Sequence, residues 1–319
     1  MASKNDMKRR MKSIRDLRQM TRAMQLISQI KRGKAMRLLD KSKPFYVYTM
    51  RTMNEIMIQS PNLFDPLFQR RKKAAGSTWK IRIILVPAEE GMAAAYSLKV
   101  LRHAEKLADE LLEHVRAQGY DAEVRFQSLG RSMAHRLAED GYLSLEDIPC
   151  EKKEPDYYFS HDLASQILGD YHHEVFDEVY FVYMHMNTKV SSDPFYIRMF
   201  PADALGLRLL TKKMLSAEEL EYENAYISKL KHRRLDFEPN ELEVIKYLES
   251  AYATAMLYGI LNEAYAAEQT FRMQSMDSAT TNADELLEDL QALMNQTRQA
   301  EITEELNEII AGASSLDQH

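Results

Sequence analysis

The chain of 319 residues predicts a mixed helix–sheet protein, α+β at the level of the whole chain. Two long terminal helices pair as an antiparallel coiled coil around a small central α/β domain. Three observations carry this prediction. Residues 240–319 contain no proline and only two glycines, Gly259 and Gly312. The ends of the chain are charged oppositely: residues 1–43 hold fourteen Lys/Arg against three Asp, whereas 276–319 hold ten Asp/Glu against one basic residue, Arg298. Between them, short β-branched runs alternate with helical periodicity from Lys80 to Asp203.

In chain order, the first element is a basic amphipathic helix over 1–60. Leu17, Met20, Met24 and Ile27 form its stripe, preceded by Ile14 and followed by Ala35 and Leu38. A kink is expected at Pro44, with continuation through Met50, Met53 and Met57 to Ser60-Pro61. Such a helix can bind nucleic acid, lie on an anionic membrane or pair with an acidic helix. No aromatic residue stands among its charges before Phe45, whereas a nucleic-acid surface favours them. The acidic complement at the other end favours pairing within the chain. Nine of the 19 methionines fall in the first sixty residues. They suit either a surface that fits several geometries or plain helix filling.

A loop follows over 61–78, and the character changes at Lys80. Strands are predicted at Ile81–Val86 and Glu123–Leu129, with helices at Ala93–Ala117, Ser132–Glu139 and Ser160–Leu168. Val179–Met186 and Phe195–Phe200 read as a hairpin closed by Ser191-Ser192-Asp193-Pro194. This alternation over 80–203 is that of a Rossmann-like layer domain. Residues 204–239 form a charged connector ending at Pro239.

The C-terminal helix, 240–319, would span roughly 120 Å at ~1.5 Å per residue, too long for the inside of a domain. Around Ala251–Ala267 it is apolar on most faces, as a sheathed helix is. From Met276 onward, Ala279, Ala283, Leu286, Leu290, Leu293, Thr297 and Ala300 follow at steps of three and four. That is a lean coiled-coil seam that brings its partner close. Arg298 either pairs with Asp16 or a neighbouring carboxylate, or points outward.

No residue pattern points to catalysis. The turn Pro87-Ala88-Glu89-Glu90-Gly91-Met92 has one glycine beside two carboxylates, the reverse of a phosphate cradle. His172-His173-Glu174 lacks metal-ligand spacing and reads as solvated histidines at a helix end, while His185 reads as a satisfied half-buried histidine. Cys150, the sole cysteine, stands after Pro149 with no nearby histidine to activate it. No cofactor or metal is expected. Two functional classes stay open on the residues alone beside a mechanical role: a basic-armed coiled-coil nucleic-acid binder, and an α/β enzyme with helical extensions.

The terminal motifs carry a resemblance. Ile14-Arg15, Met20-Thr21-Arg22-Ala23-Met24-Gln25-Leu26-Ile27 and Lys31 are similar to the opening segment of the gamma subunit of F-type ATP synthases. At the other end, Ala267-Glu268-Gln269, Arg272-Met273, Ala279-Thr280, Asn282-Ala283 and Arg298-Gln299-Ala300-Glu301-Ile302-Thr303-Glu304-Glu305-Leu306 resemble that family's closing helix. Phe237-Glu238-Pro239 and Asp177-Glu178-Val179-Tyr180-Phe181-Val182-Tyr183 resemble it as well. The resemblance implies a rotor shaft inside a hexamer of alpha and beta subunits. Its α/β foot would stand with the epsilon subunit on the membrane c-subunit ring, and the complex would move protons or sodium ions. It also implies partner contacts at Met24 with Arg272, and at Gln299 with Thr303. Where the family has Ser-Asp-Arg-Gly-Leu after the first strand, this chain has Ala88-Glu89-Glu90-Gly91-Met92. The missing cysteine pair and the motif starting within twenty residues of Met1 imply a bacterial protein on the cytoplasmic face of the plasma membrane.

Overall fold

A computed structural model of the chain describes residues 4–59, 67–68, 70–74, 76–93, 95–130, 133–139, 141–150, 154–188, 191–202, 215, 217–230 and 237–316. The expected loop at 61–66, Ser132, and most of the connector lie outside the described residues. The elements are α1 (Lys4–Gln59), β1 (Thr78–Leu85), α2 (Tyr96–Ala117), β2 (Asp121–Ser128), α3 (Ala134–Glu139), β3 (Leu143–Ser144), α4 (Tyr157–His172), β4 (Glu178–Met186), β5 (Ser192–Phe200), α5 (Ala217–Leu230) and α6 (Glu241–Leu316). Helix α1 runs through Pro44 as one element. Asn240 starts α6, its side-chain oxygen accepting a bond from the Glu243 amide at 3.0 Å. The chain forms two compact units, Met1–Ile30 with Arg272–His319, and Lys31–Phe271, so both long helices contribute to both units.

The unit Lys31–Phe271 is built on a five-stranded sheet of order β3-β2-β1-β4-β5. The first four strands are parallel and β5 runs antiparallel along β4. Alternation along the strands splits the core in two. Ile81, Ile83, Leu85, Phe126, Val182 and Met184 pack beneath α2, against Val100, Ala104, Leu107 and Ala108. On the opposite face, Ile84, Phe181, Tyr183, Ile197 and Met199 pack against α4, the Met50–Ile56 turn of α1 and Tyr252–Ala264 of α6. The apolar girdle predicted for Ala251–Ala267 is therefore real: α6 is sheathed there by sheet, α4 and α1. Helix α4 crosses α6 antiparallel, with His172 Nε2 3.0 Å from Glu249, His161 Nδ1 3.1 Å from the Thr254 hydroxyl, and Tyr157 edge-on to Tyr258. His172 is thus tied to a buried carboxylate and is not simply solvated.

The hairpin differs from expectation. Ser192 and Pro194 are not in the turn but in β5, paired with Met186 and Met184. Proline is tolerated there because β5 is an edge strand and its missing N–H interrupts no second ladder. The two-residue β3 was not anticipated, being too short for any periodicity.

In the unit Met1–Ile30 with Arg272–His319, the two helices run antiparallel. Thr21 and Thr280 share a hydrogen bond of 2.8 Å between their hydroxyls, the Gln25 amide donates to Asp277 at 2.5 Å, and Arg18 pairs with Asp284. Residue numbers across the pair thus sum to about 301. The buried positions are Met7, Met11, Thr21 and Ser28 on α1, and Arg272, Met276, Thr280 and Ala283 on α6.

This corrects the predicted seam. Leu17, Met20 and Ile27 are exposed, as are Leu286, Leu293 and Ala300, whereas Leu287 and Met294 turn inward. A heptad stripe that shares Met276, Ala283, Leu290 and Thr297 can be completed on either flank, by 279/286/293/300 or by 280/287/294/301. Polar groups decide between them. Thr280, Asp277 and Asp284 find partners on α1 only when the second flank faces in. The same register puts Asp16 opposite residue 285, roughly three and a half helical turns from Arg298. Arg298 is exposed and, among the described residues, no carboxylate pairs with it.

Candidate functional site

Two regions qualify, one in each unit. The first is the outer surface of the helix pair. Its inner seam mixes small and polar side chains (Thr21, Ser28, Thr280, Ala283) with the methionines Met7, Met11 and Met276. Many large apolar side chains stand outside it: Leu17, Met20, Leu26, Ile27 and Ile30 on α1, and Leu286, Leu293, Ile302, Leu306 and Ile309 on α6. Exposed apolar residues in such number along a slim pair mark a surface meant to be covered. Gln299 and Thr303 lie one turn apart on α6 and are both exposed, with the Thr303 hydroxyl held on the Gln299 carbonyl at 2.9 Å. Met24 is half-buried. Arg272 is only 2% exposed, so its side chain is part of the inside of the pair.

The second region is the carboxyl edge of the sheet in the unit Lys31–Phe271. In doubly wound folds a ligand binds there, where the strand order reverses, here between β1 and β4. Helix α6 fills that place. The Glu268 carboxylate accepts bonds from the backbone amides of Glu89 and Glu90, both 3.2 Å, in the turn after β1. One and a half turns earlier, Glu263 accepts from the Tyr183 hydroxyl at 2.9 Å and the Met186 amide at 3.1 Å, at the end of β4, with His185 Nδ1 2.8 Å away. Both carboxylates are more than nine-tenths buried. Tyr96 lies between α2 and α6 and donates to the Ala264 carbonyl at 3.3 Å. Burial, followed by the negative charge of Glu268, pushes its phenol well above the ordinary tyrosine range, and Glu263 adds to this.

The remaining space is small. A cavity of about 60 Å³ is left among Val86, Pro87, Glu89, Cys150, Glu154 and Glu268, against several hundred Å³ for a small-molecule site. Gly130, at φ +77°, closes against Glu89 so tightly that a methyl group there would meet its carboxylate. Among the described residues no cluster of His, Cys, Asp and Glu has the makings of a metal site. The turn Pro87–Met92 thus presents amides to an anion, as nucleotide folds do, but the anion is the chain's own glutamate. Sequence reasoning missed this role of Glu263 and Glu268. Nothing in their spacing announces it, since each reads as one more acid on a long helix.

Comparison with known proteins assigns the chain to a family. A family model described as ATP synthase matches residues 3–316. The ATP synthase gamma chain of Acetivibrio thermocellus is 30% identical over 316 residues, 99% of this chain and 100% of that relative. This chain belongs to the ATP synthase gamma chain family. The gamma chain of a Synechococcus strain is 30% identical over 99% of this chain and 100% of its own length. That of Acetobacterium woodii, named as sodium ion specific, is 26% identical over 98% of each. Among solved structures, the central stalk and c-ring structure of the Tetrahymena thermophila mitochondrial ATP synthase contains a chain with a TM-score of 0.51 at 16% identity. The match covers 82% of this chain and 99% of that one, and at that identity it speaks for the fold alone. For a gamma chain, a sheet edge plugged by its own helix is coherent, because the chain is a non-catalytic part of its complex.

Proposed function

We propose that this chain is the central rotor shaft of an ATP synthase, passing torque between an ion-driven membrane ring and a catalytic hexamer. Family membership over nearly the whole chain supports the machine. The observation that carries the mechanical role is the slim helix pair, with threonine, serine, alanine and methionine between the helices and a row of exposed leucines and isoleucines on its outside. Two helices packed through Thr21, Ser28, Thr280 and Ala283 make a slim rod, and the outer leucines and isoleucines gain a low-polarity environment only inside a surrounding sleeve. The rod is not symmetric. The face it presents changes as it turns, so each catalytic subunit in turn meets a different set of contacts and shifts toward the conformation that set binds best.

The partners in this reading are the alpha and beta subunits around the helix pair, and the epsilon subunit and c-subunit ring at the α/β domain. In this reading Gln299 and Thr303, exposed on α6, touch the sleeve, and half-buried Met24 joins them from α1. Arg272 enters on the family resemblance alone, since its side chain is buried. Among the described residues no helix is long and apolar enough to cross a membrane. In this reading the partners hold the chain at the cytoplasmic face of a bacterial plasma membrane. A nucleic-acid binder would need the basic arm free, and part of it is engaged with the acidic helix at Arg18 and Asp284.

The test is co-purification from membranes with a tag on this chain. A hexamer of nucleotide-binding subunits elutes with it. If the chain emerges alone, or with nucleic acid that salt removes, the reading is lost.

A further inference from the structure

We infer that Glu268, seconded by Glu263, is a latch that locks α6 to the sheet and makes the α/β domain turn with the helix. The inference rests on the rotor reading for its consequence, but not for its geometry. Helix α6 belongs to both units. A twist applied to its far part reaches the sheet only through the joints that bind its near part. Interlocked apolar packing passes some of this strain, but the hydrophobic effect itself is non-directional. Hydrogen bonds are directional, and those to an ionised acceptor are the strongest available.

Two directional joints between α6 and the sheet fall on its two central strands. Glu268 takes both oxygens to consecutive amides beyond β1, and Glu263 takes one oxygen to the Tyr183 hydroxyl and the other to the Met186 amide at the end of β4. Strands β1 and β4 are neighbours and parallel, so the helix is pinned at two points on adjacent strand ends. Five residues separate the two acids, which sets the pins apart along the helix axis and resists both rotation and tilt. Both acids are buried, so few waters reach the carboxylates that accept these bonds. Lys31, whose ammonium stands 3.9 Å from the Glu90 carboxylate, ties α1 to the same turn. The anion-receptive turn that serves cofactors in other folds of this topology serves here as a socket for the chain's own helix. Glu268 touches no reacting atom and is a positioning residue.

The test has two arms. In the isolated full-length chain, Glu268→Ala and the milder Glu268→Gln are compared with the parent by amide hydrogen exchange. The Glu89 and Glu90 amides are expected to exchange about tenfold faster in Glu268→Ala, because removing the acceptor takes away the bond that protects two part-buried donors. Exchange at Ile83 and Leu85 within β1 is expected to stay as it was. If the two turn amides keep their parent protection, the latch does not exist. In the assembled membrane complex, the readout is ions pumped per ATP hydrolysed. A loose foot lets hydrolysis turn the helix while the ring lags, so the ratio falls about threefold for a weakened mechanical step. A ratio equal to the parent's overturns the inference. Glu268→Gln keeps the side-chain volume and one acceptor oxygen, and supplies the same comparison if Glu268→Ala does not assemble. Failure of the parent chain to join a hexamer would sink the rotor reading and leave the exchange arm standing, so the two failures are told apart.

Discussion

Single residues in this chain do work that depends on what faces them. Tyr96 is a buried phenol beside two buried carboxylates, and it holds its proton to higher pH than the same residue in the unfolded chain. Below about pH 10 the group is protonated in both states and pH has no effect through it. Above that value the unfolded chain sheds the proton first, so stability falls as pH rises toward the raised folded value. Tyr96→Phe is expected to flatten this alkaline limb in chemical denaturation at pH 8 to 11. It also loses the bond to Ala264, at about 1 kcal/mol near neutrality. Thr21 and Thr280 offer a second case. Their shared bond is the buried polar link between the helices, and Thr280 also donates to its own Met276 carbonyl at 2.8 Å. A double-mutant cycle with Thr21→Val and Thr280→Val should return a coupling of about 1 kcal/mol. Strictly additive losses would mean the pair contributes nothing between the helices.

At the scale of elements, the helix pair shows how a repeat can be legible and its facing ambiguous. Met276, Ala283, Leu290 and Thr297 were correctly placed by their spacing of seven, because both flanks share them. As a set Ala279, Leu286, Leu293 and Ala300 are the more apolar flank, against Thr280, Leu287, Met294 and Glu301. In the fold Leu286 and Leu293 face out, since the acids at 277 and 284 must reach Gln25 and Arg18. Ala283 is 3% exposed in the seam, and Ala283→Leu should overpack it and destabilise the pair by about 1–3 kcal/mol in thermal or denaturant unfolding. The strands were readable by their β-branched runs to within a few residues. Pro194 was the exception, because a proline signals a turn locally and only the sheet order shows that its strand lies at an edge.

For the molecule as a whole, an outer apolar surface on a slim helix pair predicts a separation of stability from assembly. Leu286→Ser with Leu293→Ser removes side chains that are half exposed and should change unfolding by less than about 0.5 kcal/mol per site. The same pair of changes should visibly lower recovery of the hexamer on the tagged chain. Equal recovery would mean these leucines face solvent in the complex too.

By itself, the sequence determined the long unbroken helices, their opposite charge and hence their pairing, the alternating central domain, and the family motifs at both ends. These are local or summed properties: proline and glycine punctuation, periodicity and net charge do not depend on what a residue meets. Tertiary structure alone decided which flank of each helix faces inward, that the sheet's carboxyl edge is closed by α6, and that Glu263 and Glu268 supply the anions held there. Those depend on a specific partner far away in the chain, such as the Glu89 and Glu90 amides for Glu268, and no spacing along one helix encodes the position of another segment's amides.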